Sequence, residues 1–350
     1  NDQEEYTFVF DTGATIDLLD ANVKKALGLQ TIRRQTVPGA SGAKTYDLIA
    51  SQKLTLDDQI SIKSSNMVIT DLSALKDRLE TNFDGILGYS LLKRYVTKID
   101  YDAQKIDLYK KIQKVETDRY EKVPFKMYNG IDIPQFDITI KLKSGDSYEG
   151  LVLFDSGASL SLLINTPFNK KHSISKKAEK IFVTEFEDLN GSSYGEDIAI
   201  ASMEFGGFLF EDMVISIAND KQGVSSYKSY LGILGAKIIS RFNVILDYDN
   251  SIIYLKPNKS YNGPFEFPLH GFKLKKEEDK TIVRSINKNS YSYKEGLRIG
   301  DEIVSIDNKT FSDIERYRDL LKQEGKTVEI VYKNVEGQEK KIKLKLKRLL

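Results

Sequence analysis

The feature that most constrains this chain is a repeat. Residues 10–15 read Phe-Asp-Thr-Gly-Ala-Thr, and residues 154–159 read Phe-Asp-Ser-Gly-Ala-Ser, with Asp11 and Asp155 lying 144 positions apart. One such motif is an ordinary turn signal, because Asp and Gly both favour turn geometry. Two copies in matched contexts imply related half-domains that each supply one carboxylate to a shared site. Two carboxylates held within a few Å cannot both ionise freely, so one keeps a proton and the pair can act as acid and base together.

The repeat extends along the chain. An apolar stretch ends in Gly85-Ile86-Leu87-Gly88 after the first motif and in Gly232-Ile233-Leu234-Gly235 after the second. Helical patterns follow at 90–95 and 236–242. Next come strands closing on Asp100-Tyr101-Asp102 and Asp247-Tyr248-Asp249, then second strands at 106–109 and 252–255. A period this long means duplicated lobes, since solenoid repeats run to roughly 20–50 residues.

At 350 residues the chain has room for two or three domains. A formal net charge of +1 gives it no general attraction to nucleic acid or membrane surfaces. No apolar run approaches the roughly 18 residues that suggest a membrane span. The absence of cysteine excludes disulfides, thiolate metal sites and a cysteine nucleophile. Only two histidines exist, His172 and His270, too few and too far apart for a histidine-rich metal site, and a Ser-His-Asp triad is poorly supported. Neither metal nor cofactor is expected. His172, among Lys170, Lys171 and Ser173, reads as an exposed loop residue.

The expected fold is mainly β: two pseudo-symmetric lobes, residues 1–115 and 116–258, and an α+β domain at 259–350. In lobe one, residues 20–28 read as a short helix with Asp20 at its start and Gly28 at its end. The charged segment 110–122 reads as the connection between lobes. Aligning the motifs sets Asn1 opposite Gly145, whose turn follows an alternating strand at 133–142. Lobe one has no counterpart, so an upstream strand behind an export signal is expected. Pro257, Gly263, Pro264 and Pro268 mark the next boundary. Beyond it, strands are expected at 281–286 and 302–306, a one-turn helix at 291–295, a longer helix at 314–324 and a hairpin of 328–332 with 340–346. The tail Lys341-Ile342-Lys343-Leu344-Lys345-Leu346-Lys347 is either a basic patch or a half-buried strand, and its period-2 alternation favours the strand.

The paired Asp-Thr/Ser-Gly-Ala motifs, each with a distal Ile-Leu-Gly, resemble the retropepsin-like aspartic proteases, here with two lobes in one chain as in pepsin-type enzymes. Residues 295–307, Glu-Gly-Leu-Arg-Ile-Gly-Asp-Glu-Ile-Val-Ser-Ile-Asp, look like the core of a bacterial-type PDZ domain. Together they resemble exported bacterial aspartyl proteases with a C-terminal PDZ domain, which implies a periplasmic or cell-envelope location.

The resemblance implies that Asp11 and Asp155 are the catalytic pair, activating a water that attacks a peptide carbonyl. It implies that Thr12 and Ser156 lock the two loops together and that Gly13 and Gly157 let backbone approach the carboxylates. Ile86, Leu87 and Gly88, with Ile233, Leu234 and Gly235, would pack beneath the loops. The hairpin tips at Ser41 and Gly42 and at Asn190 and Gly191 are candidate flaps. Leu269, His270, Gly271 and Phe272 are the candidate peptide-binding loop of the PDZ domain, for a peptide or chain-terminus ligand. The substrate would be a peptide or an unfolded protein segment, and no homodimer is needed to complete the site. Pepsin-type enzymes usually place Ser or Thr three residues after each aspartate. Ala14 and Ala158 stand there instead, which removes a hydrogen bond to the ionised form and predicts a mildly acid to near-neutral optimum. The alternative function is a catalytically silent peptide-binding or scaffolding protein of the cell envelope.

Overall fold

Two sheets within the first 258 residues repeat one strand order. The computed structural model describes residues 4–350 apart from 40–41, 57–59, 65, 80 and 189–190, with side chains described except at 78, 185–188 and 191–193. In the first sheet the order is Phe8–Phe10, Gly85–Leu87, Leu18–Asp20, Met67–Thr70, Ala43–Ile49, Thr31–Pro38. In the second it is Ser147–Phe154, Gly232–Leu234, Leu162–Ile164, Phe208–Ala218, Gly191–Phe205, Phe182–Asp188, with Gln135–Leu142 added outside Ser147–Phe154. Strand directions match as well. Phe10 pairs in parallel with Leu87, and Phe154 pairs in parallel with Leu234.

The sequence pattern explains the layering. In Gln135–Leu142, alternation turns Phe136, Ile138, Ile140 and Leu142 inward and leaves Asp137 and Lys141 in water. The strands Gly85–Leu87, Leu162–Ile164 and Gly232–Leu234 are buried along their whole length, as continuous apolar runs in the middle of a sheet require. Asp20 caps the helix Ala21–Ala26 by accepting from the Asn22 N–H (2.8 Å), and Gly28 follows with φ +62°. The other two expected helices shorten to Tyr89–Leu92 and Ala236–Ile239. Phe242 instead opens the buried strand Phe242–Asp247, where its ring meets Phe208 at 4.7 Å.

A third sheet draws strands from both lobes, in the order Lys105–Tyr109, Val96–Asp100, Phe242–Asp247, Ile252–Pro257, Glu121–Pro124. One hydrophobic cluster accordingly holds Leu92 and Ile99 together with Phe154 and Val244. The expected connection at 110–122 contains the 3₁₀ turn Ile112–Lys114, and its last two residues begin a strand of this sheet. His172 differs from expectation. It ends the helix Thr166–His172 and is half-buried against Phe168 and Tyr148, with ring centroids 4.5 and 4.9 Å away.

The C-terminal domain has its own core, including Leu297, Ile306, Tyr317 and Val328. Its five strands run in the order Phe272–Glu277, Lys280–Ile286, Glu302–Ile306, Thr327–Lys333, Glu339–Lys345. Asp313 caps the helix Ile314–Leu321. The lysine-rich tail is the half-buried strand: Ile342 and Leu344 point into the core while Lys341, Lys343 and Lys345 are solvated. Among the described residues, no helix is long and apolar enough to cross a membrane.

Candidate active site

Each aspartate follows directly on the end of a strand, Phe8–Phe10 for Asp11 and Ser147–Phe154 for Asp155. The N–H of Asp11 donates to Leu87 O, and that of Asp155 to Leu234 O, each at 3.0 Å. Ile86, Leu87, Ile233 and Leu234 are buried beneath the loops. Gly88 and Gly235 are required by close approach. A Cβ on Gly88 would lie 2.4 Å from the carbonyl oxygens of Asp11 and Ala14, and one on Gly235 would lie 2.3 Å from Leu160 O.

The two carboxyl groups lie within hydrogen-bonding reach of each other. Each also rests against the opposite loop. A Cβ on Gly13 would stand 2.5 Å from the Asp155 carboxyl, and a Cβ on Gly157 would stand 2.5 Å from that of Asp11. Asp11 Oδ1 accepts from the Gly13 N–H at 2.7 Å, and Asp155 Oδ1 accepts from those of Gly157 (2.9 Å) and Ala158 (3.2 Å). Thr12 ties the loops across the pseudo-twofold axis. Its Oγ1 donates to Phe154 O (2.9 Å) and accepts from the Ser156 N–H (2.8 Å), while its own N–H donates to Ser156 Oγ (3.0 Å).

Burial raises the pKa of both carboxyls. For Asp11, backbone N–H groups, Gly13 first, oppose the rise, because they favour the ionised form. For Asp155, burial is joined by repulsion from Asp11, and its pKa stands well above the usual carboxylate range. The pair therefore shares a proton and titrates as a unit.

The pair opens into a cleft of about 1680 Å³. Val37, Pro38 and Gly39 of the first candidate flap hairpin line it. Gly39 donates to Gly42 O (2.8 Å) to close the tip, and Gly39 O accepts from the Val224 N–H (3.0 Å) of the other lobe. Ser41 and Asn190 lie outside the described residues. Gly191 pairs with Asp188 at the second tip, and Val183 and Tyr194 of that hairpin line the cleft. In the C-terminal domain, Leu269 and Phe272 belong to the domain core, and His270, Gly271 and Phe272 border the cleft. His270 O accepts from Ser292 Oγ. Desolvation of the His270 imidazole lowers its pKa to about 4. Among the described residues, no group of three or more His, Asp or Glu side chains is arranged to hold a metal ion.

Two contributors escape a reading of the sequence. Asp17, wholly buried, accepts from Ser90 Oγ (2.8 Å) and steadies the turn after Gly88. Its signal is a charge inside an apolar run, but the second lobe carries Ser161 there, so the repeat does not mark it. The other is a cleft wall from the C-terminal domain, including Ile286, Asn287 and Ile299, for which the sequence holds no signal.

Residues 1–91 match the family model for aspartyl proteases, and residues 282–334 match the model for PDZ domains. No curated protein matches the chain. Among solved structures, the PDZ domain of a carboxy-terminal protease from Vibrio cholerae, determined in complex with a peptide, is 16% identical over 24% of this chain and 97% of its own. The TM-score of that comparison is 0.21. The chain thus joins an N-terminal segment of the aspartyl protease family to a C-terminal PDZ domain.

Proposed function

We propose that the chain is an aspartic endopeptidase that hydrolyses peptide bonds with a water held between Asp11 and Asp155. The observation that carries this is the mutual reach of two carboxyl groups from opposite lobes, locked by Thr12 and opening on one cleft. In this reading Asp155 gives its proton to the scissile carbonyl oxygen while ionised Asp11 takes a proton from the water. The hydroxide so formed attacks the carbonyl carbon. Asp11 then returns the proton to the amide nitrogen, the C–N bond breaks, and Asp155 regains its proton as the new carboxyl forms. No covalent enzyme intermediate is involved.

The PDZ domain adds peptide binding. Phe272–Glu277 is one of the two edge strands of its sheet, and an extended chain can add to such an edge through main-chain hydrogen bonds. The test is digestion of a mixed peptide library, read by mass spectrometry. The full chain is expected to cleave, and Asp11→Asn and Asp155→Asn are each expected to lose about 10²–10⁴-fold, the usual contribution of an acid–base group. Cleavage undiminished in both variants contradicts the assignment of the dyad, and cleavage absent in the parent contradicts the proposal and leaves the silent peptide-binding reading.

A further inference from the structure

We infer that the PDZ domain is itself a wall of the protease cleft, selecting substrates that carry large apolar side chains several residues from the scissile bond. The inference deepens the peptidase reading and rests on it. The cleft that contains the dyad extends between the second flap hairpin and the PDZ domain. There Tyr194 and Val183 of the hairpin are 64% and 51% exposed, and Ile299 of the PDZ domain is 61% exposed. Tyr194 pairs across the hairpin with Glu185, two residues from Val183, so both project from one face. Apolar side chains exposed singly need no explanation, but a group of them in one concavity marks a binding surface.

The occupant that fits is the substrate chain itself. The same space holds both carboxylates, and its volume of about 1680 Å³ exceeds the roughly 300–1,000 Å³ of an ordinary small-molecule pocket. An extended polypeptide advances roughly 3.3 Å per residue, so several residues separate the scissile bond from a distant wall.

The wall is anchored to the second lobe. Asn287, 8% exposed, donates from Nδ2 to Val183 O (3.3 Å) and from its backbone to Gly271 O (2.7 Å). Arg348 pairs with Asp212 at 2.6 Å. Arg241 donates to the carbonyls of Tyr261 (2.9 Å) and Gly263 (2.6 Å) and stacks on Phe265, fixing the connecting segment. The wall takes in the start of the strand Phe272–Glu277, whose Phe272 and Lys273 line the cleft, but not the space between that strand and the helix Ile314–Leu321. Arg318 bridges that space by donating to Leu274 O (3.1 Å), and no residue of the helix lines the cleft.

The test uses fluorescein-labelled peptides that share one central sequence, the best-cleaved member of the library or, where none is cleaved, its tightest binder. Each is extended at both ends, in one peptide by Leu- and Phe-containing segments and in the other by Ser/Gly segments. Binding is measured on the full chain carrying Asp155→Asn, and kcat/KM on the active chain. The apolar-extended peptide should bind at least about tenfold more tightly, the scale of one good apolar contact. Ile299→Asp should abolish that preference, and Tyr194→Ser, on the opposite wall, should reduce it independently of PDZ folding. Equal binding of the two peptides, binding of neither, or a preference that survives both substitutions overturns the inference. Turnover without the preference overturns the wall alone. An Ile299-dependent preference without turnover instead overturns the peptidase reading and leaves the wall.

Discussion

One hydroxyl governs how the two carboxyl loops face each other. Thr12 is 1% exposed, and its Oγ1 both donates across the pseudo-twofold axis and accepts from it. Thr12→Val keeps the volume and strands Phe154 O and the Ser156 N–H in a buried place. The expected cost is about 1–3 kcal/mol of stability, together with loss of peptidase turnover, while Thr12→Ser retains most of both. Denaturant titration and turnover of one library peptide check the pair; equal stability for Val and Ser contradicts the account. The motif residues were legible because the chain states them twice, and the second statement removes the simple-turn interpretation. Asp17 was not, because Ser161 stands in its place.

At the scale of elements, alternation made most strands readable, and Asp20 and Gly28 marked a helix at both ends. The expected helices at 90–95 and 236–242 ran too long because apolar periodicity does not show where a short helix gives way to a buried strand. The loop that precedes Phe272–Glu277 has a pH dependence of its own. Desolvated His270 has a pKa of about 4 against an ordinary 6.5, so between these values the unfolded chain binds more protons than the folded one. Stability therefore rises with pH in this window: the contribution is complete above 6.5 and is lost as pH falls toward 4. The melting temperature of the PDZ transition should drop on acidification from pH 7 to 4, and His270→Gln should flatten that drop. An identical drop in the variant contradicts the assignment.

For the whole molecule, the duplication accounts for the matching strand orders and for the sheet shared by both lobes. It says nothing of how the PDZ domain sits, because that placement depends on contacts between segments that have no repeat. Asn287 and Val183, for example, lie 104 residues apart. The segment joining the domains depends on Arg241, which is held by backbone carbonyls and the Phe265 ring. Arg241→Ala should make limited proteolysis within residues 259–268 several-fold faster than in the parent chain; an unchanged rate contradicts that role. The most direct measurement is a pH titration of the Asp11 and Asp155 carboxyl carbons by ¹³C NMR. Two coupled steps are predicted, the later one well above the ordinary carboxylate value of 3.8, and Asp11→Asn should remove the contribution of charge repulsion at Asp155. Two independent titrations near 3.8, unchanged by the substitution, would show that the carboxyls do not share a proton.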